Sequence, residues 1–74
     1  MKIQFYPDDD IIYIDLSDKT STESEEVIPG IVIDYDENGN PVGIEISNAS
    51  KLVKVDRLEI SNLPLSDLIL KKAA

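Results

Sequence analysis

Residues 34–45 read DYDENGNPVGIE. Asp34, Asp36, Asn38, Gly39 and Glu45 fill every specified position of the calcium-loop pattern D-x-[DN]-x-[DN]-G-x5-E. Oxygen donors at alternate positions, closed by a distal carboxylate, are what a hard cation needs. A second acidic group, Asp8-Asp9-Asp10, sets three carboxylates side by side. Paired carboxylates can also carry acid–base or glycosidic chemistry. The flanks decide between these uses. A calcium loop of this type is entered and left by helices. Here GIVIDY precedes and PVGIEIS follows, both of period two and rich in β-branched residues. Glu45 then lies inside a strand, and Pro41 takes the eighth loop position. The sequence therefore predicts a hairpin, with Asn38-Gly39 supplying residues that tolerate positive φ. Ile33 is expected opposite Ile44 and Tyr35 opposite Val42. Asp34 and Glu45 become diagonal neighbours on a polar face. A weak cation site with Asp34, Asp36, Asn38 and Glu45 as ligands is the lesser alternative. Asp8-Asp9-Asp10 is expected to be turn chemistry, its carboxylates accepting local hydrogen bonds.

Composition narrows the chemistry further. The 74 residues contain no cysteine and no histidine. Disulfides, thiolate or imidazole metal ligands and Ser-His or Cys-His nucleophile pairs are excluded. No glycine-rich phosphate loop stands between a strand and a helix. A thin sheet leaves little room for a pocket, and only a site between subunits would supply one. Catalysis and cofactors are not expected. The net charge of −8 argues against direct nucleic-acid binding, which needs a basic surface. No apolar run is long enough to span a membrane and no signal peptide is visible, so a cytoplasmic location is expected.

The elements that must position these side chains are short. KIQFY (2–6) alternates, with Ile3 and Phe5 on one face; Pro7-Asp8-Asp9-Asp10 is a turn; IIYIDL (11–16) completes a hairpin. A polar loop, SDKTSTES (17–24), follows. A third strand is predicted over 26–35, broken at Pro29-Gly30 by an edge irregularity or bulge. ENGN turns the chain into PVGIEIS. The period then changes: Asn48 is the predicted N-cap of a short helix whose stripe is Ala49, Leu52 and Val53. RLEIS (57–61) is read as a fifth strand, and 64–72 as a helical tail starting at Pro64 with Leu65, Leu68 and Ile69 on one side. The whole is one α+β domain, 1–74. Residues 1–47 form an antiparallel β-meander of four to five short strands; 48–74 supply a helix or strand and the helical tail. The small helical element is expected to pack on one face of the sheet.

Three strings make a resemblance: Y-P-D-x-D-x-x-Y-I-x-L at 6–16, EEVIPGIVIDYDENGNPVGIEI at 25–46, and NASK at 48–51. Together they resemble the DUF2283 family of small bacterial and archaeal proteins, over roughly residues 2–52. The resemblance implies no activity and brings no catalytic residues. Stand-alone members beside small toxin-like proteins imply an antitoxin-like or adaptor role. Gly30, Gly39 and Gly43 would serve backbone geometry, and Ile44 and Ile46 the core.

Charge and size point to association. Residues 1–46 hold 12 acids and 2 lysines; residues 47–74 hold 3 acids and 5 bases. An acidic body of this kind can meet a basic protein partner, with Asp8, Asp9, Asp10, Glu23, Glu25 and Glu26 as contacts and 63–72 as a docking segment. A chain this short buries only about 60% of its unfolded surface. With disulfides and metals unused, a homo-oligomer, first of all a dimer, is the expected remedy. The alternative function is a weak calcium binder or a purely structural self-assembling oligomer.

Overall fold

The computed structural model describes residues 1–72. Five antiparallel strands form one sheet: β1 (Lys2–Tyr6), β2 (Ile11–Asp15), β3 (Glu23–Ile28), β4 (Ile31–Tyr35) and β5 (Pro41–Ile46), followed by a single helical turn, α1 (Ala49–Leu52). The architecture is mostly β, with a smaller helical part than an α+β reading implies. The strand order is β1-β2-β5-β4-β3. This corrects the simple meander. Residues 16–22 carry the chain from β2 to β3, three strand spacings or about 14 Å away. Seven residues can cover that distance, which leaves room for β5 to return between β2 and β4. Leu16 donates its amide to the Val42 carbonyl at 2.9 Å, and Thr22 donates to Tyr35 at 2.8 Å, so both ends of the crossing are fastened.

The strand count agrees with the expectation, but the third strand does not. Glu23–Ile28 and Ile31–Tyr35 are two strands of a hairpin, with Ile28 paired to Ile31 across Pro29-Gly30. Pro at the first central position and Gly30 at φ 93° are what a tight type II turn requires. The irregularity lies instead at Val27, where the β3–β4 register shifts.

Register sorts the side chains into rows. Phe5, Ile12, Ile46, Ile31 and Ile28 run across one face, and Ile3, Ile14, Ile44 and Ile33 run beside them to Glu25. The other face carries Gln4, Tyr13, Glu45, Val32 and Glu26, and then Lys2, Asp15, Gly43, Asp34 and Ser24. Period-two alternation makes one apolar and one polar face. Ile33 does face Ile44, but Tyr35 faces Pro41 rather than Val42. Val42 is an extra residue in β5, a bulge that turns its side chain inward to 4% exposure.

The helix does not layer onto the sheet. It bridges two turns at one end. Ala49 donates its amide to the Asp10 carbonyl at 2.9 Å and Ser47 donates to Gly30 at 2.8 Å. Asn48 is left-handed, φ 51°, and makes no side-chain cap. Past Val53 there is no helix and no strand among the described residues. The fifth strand expected at 57–61 and the helix expected at 64–72 are absent. Leu65 donates to Leu63 at 2.8 Å, a γ-turn centred on Pro64 rather than a helix start. Nine residues are too few for a helix that no surface supports. Residues 73 and 74 of the expected tail lie outside the described residues.

Candidate functional site

The polar face is organised by one tyrosine. Alternation in IIYID aims Tyr13 at the face that also holds Gly43 and Asp34. Its ring lies over Gly43: a Cβ there would stand 2.1 Å from the tyrosine oxygen and 3.3 Å from Asp34 Oδ2. The hydroxyl donates to Asp34 Oδ2 at 2.6 Å, and Ser24 Oγ donates to Asp34 Oδ1 at 2.5 Å. The chain Tyr13–Asp34–Ser24 thus ties β2 to β4 and β3 across the backbone of β5. The bond to Asp34, then burial, then the nearby charges of Asp34, Asp15 and Glu45 push the Tyr13 hydroxyl up to about 12. At neutral pH it is a fixed donor, not a nucleophile. Gly43 serves clearance for this ring rather than a turn conformation, since its φ is not positive.

Asp36 is the buried carboxylate, 5% exposed. Its Oδ1 accepts the amides of Asn38 and Asn40, both at 2.9 Å, and Oδ2 accepts Asn40 Nδ2 at 3.4 Å. These bonds, the Asn40 amide foremost, hold its carboxyl below the ordinary range against the opposing effect of burial. Gly39 donates its amide to the Asp36 carbonyl at 3.0 Å, and Gly39 alone in this turn has positive φ, 81°. The turn is a three-residue type with glycine at the left-handed position; Asn38 does not share that conformation.

The calcium-pattern residues are therefore dispersed. Asp34 faces Tyr13 and Ser24 across the sheet, Asp36 binds its own turn, Asn38 gives that turn its amide, and Glu45 stands in the row of Tyr13. Among the described residues no group of three or more acids converges as a cation site.

Asp10 is likewise occupied. It adopts φ 54°, accepts the Ser50 amide on Oδ1 at 3.1 Å and the Ser50 hydroxyl on Oδ2 at 2.6 Å. It caps α1 from forty residues away, the part expected of Asn48. Asp8 and Asp9 stay exposed in their turn, and Glu23, Glu25 and Glu26 line β3 at the opposite edge. The acidic partner candidates do not form one patch. Between the β1–β2 turn and β3 lie three to four strand spacings, about 14–19 Å. A shallow open groove of about 290 Å³ lies between Tyr6, Asp9, Ile11, Tyr13 and Glu45.

The apolar atoms are mostly uncovered. Val42 and Ala49 are the buried hydrophobic residues of the described chain. Ile3, Phe5, Val27 and Ile28 on the edge strands, and Val55, Leu58, Ile60, Leu63, Leu65, Leu68, Ile69 and Leu70 beyond the helix, are exposed.

Residues 2–50 match a family described as protein of unknown function, DUF2283. The chain belongs to the DUF2283 family. An uncharacterised protein of Methanocaldococcus jannaschii is 63% identical over 30 residues, which are 40% of this chain and 26% of that protein. The chain spans about a quarter of that relative's length. No solved structure matches. The DUF2283 segment ends where the ordered elements end: it takes in all five strands and the start of α1. No helix of the described residues is long and apolar enough to cross a membrane.

Sequence reading missed the Tyr13–Asp34–Ser24 tie and the Asp10–Ser50 latch. The first had a signal. A glycine inside a strand marks a close approach, and Tyr13 and Asp34 share its face. The second had none, because it joins residues 10 and 50 through the fold.

Proposed function

We propose that this DUF2283 chain is a non-enzymatic association module whose apolar surface is completed by a protein partner, a second copy first of all. The observation that carries this is the ratio of covered to uncovered apolar side chains. Val42 and Ala49 are buried, while more than a dozen large hydrophobic residues are exposed. Burial stabilises by about 25 cal/mol per Å2. A 74-residue chain that leaves this surface in water forgoes the main force available to it. Large exposed apolar areas on soluble proteins mark contact surfaces. The polar groups best placed for chemistry are engaged otherwise: Asp36 holds its turn and Tyr13 is a fixed donor to Asp34.

A second reading is a basic partner, in an antitoxin-like or adaptor role. The β3 edge favours it, since Glu23, Glu25 and Glu26 are exposed along a strand that pairs with β4 on one side and ends the sheet on the other. Such a complex would weaken steeply with salt. Light scattering against concentration separates the readings. A mass rising to a multiple of 8.2 kDa supports self-association. A chain that stays monomeric at every concentration, and gains mass only with a basic protein at low salt, leaves the second reading in its place.

A further inference from the structure

The sheet has two free edges, and they are not alike. β3 is guarded twice. It carries Glu23, Glu25 and Glu26, and a bulge at Val27 breaks its register. Charges and bulges are the devices by which edges resist pairing. Two copies meeting through β3 would set acid against acid, which destabilises cross-strand neighbours. β1 has neither device. KIQFY is regular through five residues, contains no acid, proline or glycine, and pairs residue for residue with β2. Its one charge, Lys2, sits at the strand's end. Ile3 and Phe5 remain 49% and 48% exposed although both belong to the apolar rows. They are what those rows end on.

We propose, resting on the association reading above, that β1 is the self-association edge: two copies pair antiparallel about a two-fold axis at Gln4. In that register each Ile3 faces the other copy's Phe5, and each Lys2 faces the other copy's Tyr6. The pairing is isologous and closes at two copies. It joins the apolar rows of both sheets into one face: the row from Ile28 to Phe5 of one copy continues into the row from Ile3 to Glu25 of the other, and the reverse. The outward amides and carbonyls of β1 gain partners whichever residues of the strand carry them, because a two-fold at Gln4 maps even positions onto even and odd onto odd. Aromatic and β-branched residues make favourable cross-strand pairs, and an ammonium beside a tyrosine ring is attractive. Ten strands is within the size of open twisted sheets. A five-residue pairing is smaller than a standard interface of about 1,600 Å2, so the dimer is expected to be reversible and concentration dependent.

Gln4→Cys tests the axis directly, since the chain has no other cysteine. Facing residues in antiparallel strands bring their Cβ atoms to about 5 Å, within reach of a short bis-maleimide. The expected result is a covalent dimer of Gln4→Cys, with Ser24→Cys on β3 staying monomeric under the same treatment. Crosslinking of Ser24→Cys but not Gln4→Cys would overturn the assignment of the edge. A parent chain that is dimeric by light scattering, with Gln4→Cys uncrosslinked, would overturn the β1 register while leaving association intact. A parent that is monomeric at all concentrations would overturn both. Amide exchange of the unsubstituted chain guards against a misfolded variant: β1 amides should slow as concentration rises, and concentration-independent exchange there contradicts the proposal.

Discussion

Residues 1–52 and 53–72 differ in the opposite sense from their hydrophobicity. The tail carries eight exposed large apolar residues in eighteen positions, from Val55 to Lys72, and forms no element. The body spends much of its length on Asp, Glu, Ser and Asn and forms all five strands. What separates them is partnership. Each strand of the body has a neighbour within a few residues or a fastened crossing. Its turns are held by specific donors and acceptors: Asp36 over 36–40, Gly30 after Pro29, Asp10 onto Ser50. The tail has Pro64 in a γ-turn and exposed ion pairs, Lys54–Asp56 at 3.5 Å and Arg57–Glu59 at 2.6 Å. Exposed pairs of this kind contribute little. Apolar residues without a surface to meet do not make structure.

That contrast can be broken most severely at Gly43. A side chain at this position must expel the Tyr13 ring, whose oxygen stands 2.1 Å from the Cβ site. Gly43→Val is expected to cost about 3 kcal/mol in urea unfolding, the upper end of overpacking effects. Gly39 has open space around it, nothing within 4 Å, so Gly39→Val tests backbone conformation alone. The left-handed penalty predicts a loss of about 1–2 kcal/mol; a variant as stable as the parent would sink the turn assignment.

Asp10 can be dissected. Asp10→Gly keeps the φ of 54° free of strain and removes the latch, at about 1 kcal/mol for a lost cap. Asp10→Ala loses both, and its melting temperature should fall below that of the glycine variant. Tyr13→Phe removes the donor to Asp34 for about 1 kcal/mol and sharpens the account through pH. A hydroxyl raised in the folded state contributes stability fully present below its ordinary pKa near 10 and lost as pH rises toward about 12. The parent should show this loss between those values, and the phenylalanine variant should lack that part of it. Removing residues from Val55 onward should have the smallest effect, about 0.5 kcal/mol or less on the sheet, checked by thermal melting at low concentration.

Strands β1, β2, β4 and β5, and the pairing of Ile33 with Ile44, were legible because alternation and turn residues are local signals. The hairpin at 34–45 was legible the same way, by the period of its flanks. The order of strands was not legible, because nothing in residues 16–22 says how many strands they pass. Pro29-Gly30 was read as an interruption because a strand on each side of a two-residue turn looks like one long strand. Of the site, the acidic candidates were visible as residue types, but their separation onto opposite edges and the capture of Asp10 by Ser50 arise only from the fold. It is notable that two strings carrying the family likeness, Y-P-D-x-D at 6–10 and A-S-K at 49–51, are the two that meet there.

Residue-resolved amide exchange at low protein concentration tests the central claim most directly. The account predicts strong, shared protection for the central strands β2, β4 and β5 and near-free exchange from Lys54 to Lys72, where Leu65 alone donates a backbone bond. Tail amides protected as well as those of β5, opening with the same free energy, would contradict it, since the tail would then belong to the same cooperative unit as the sheet.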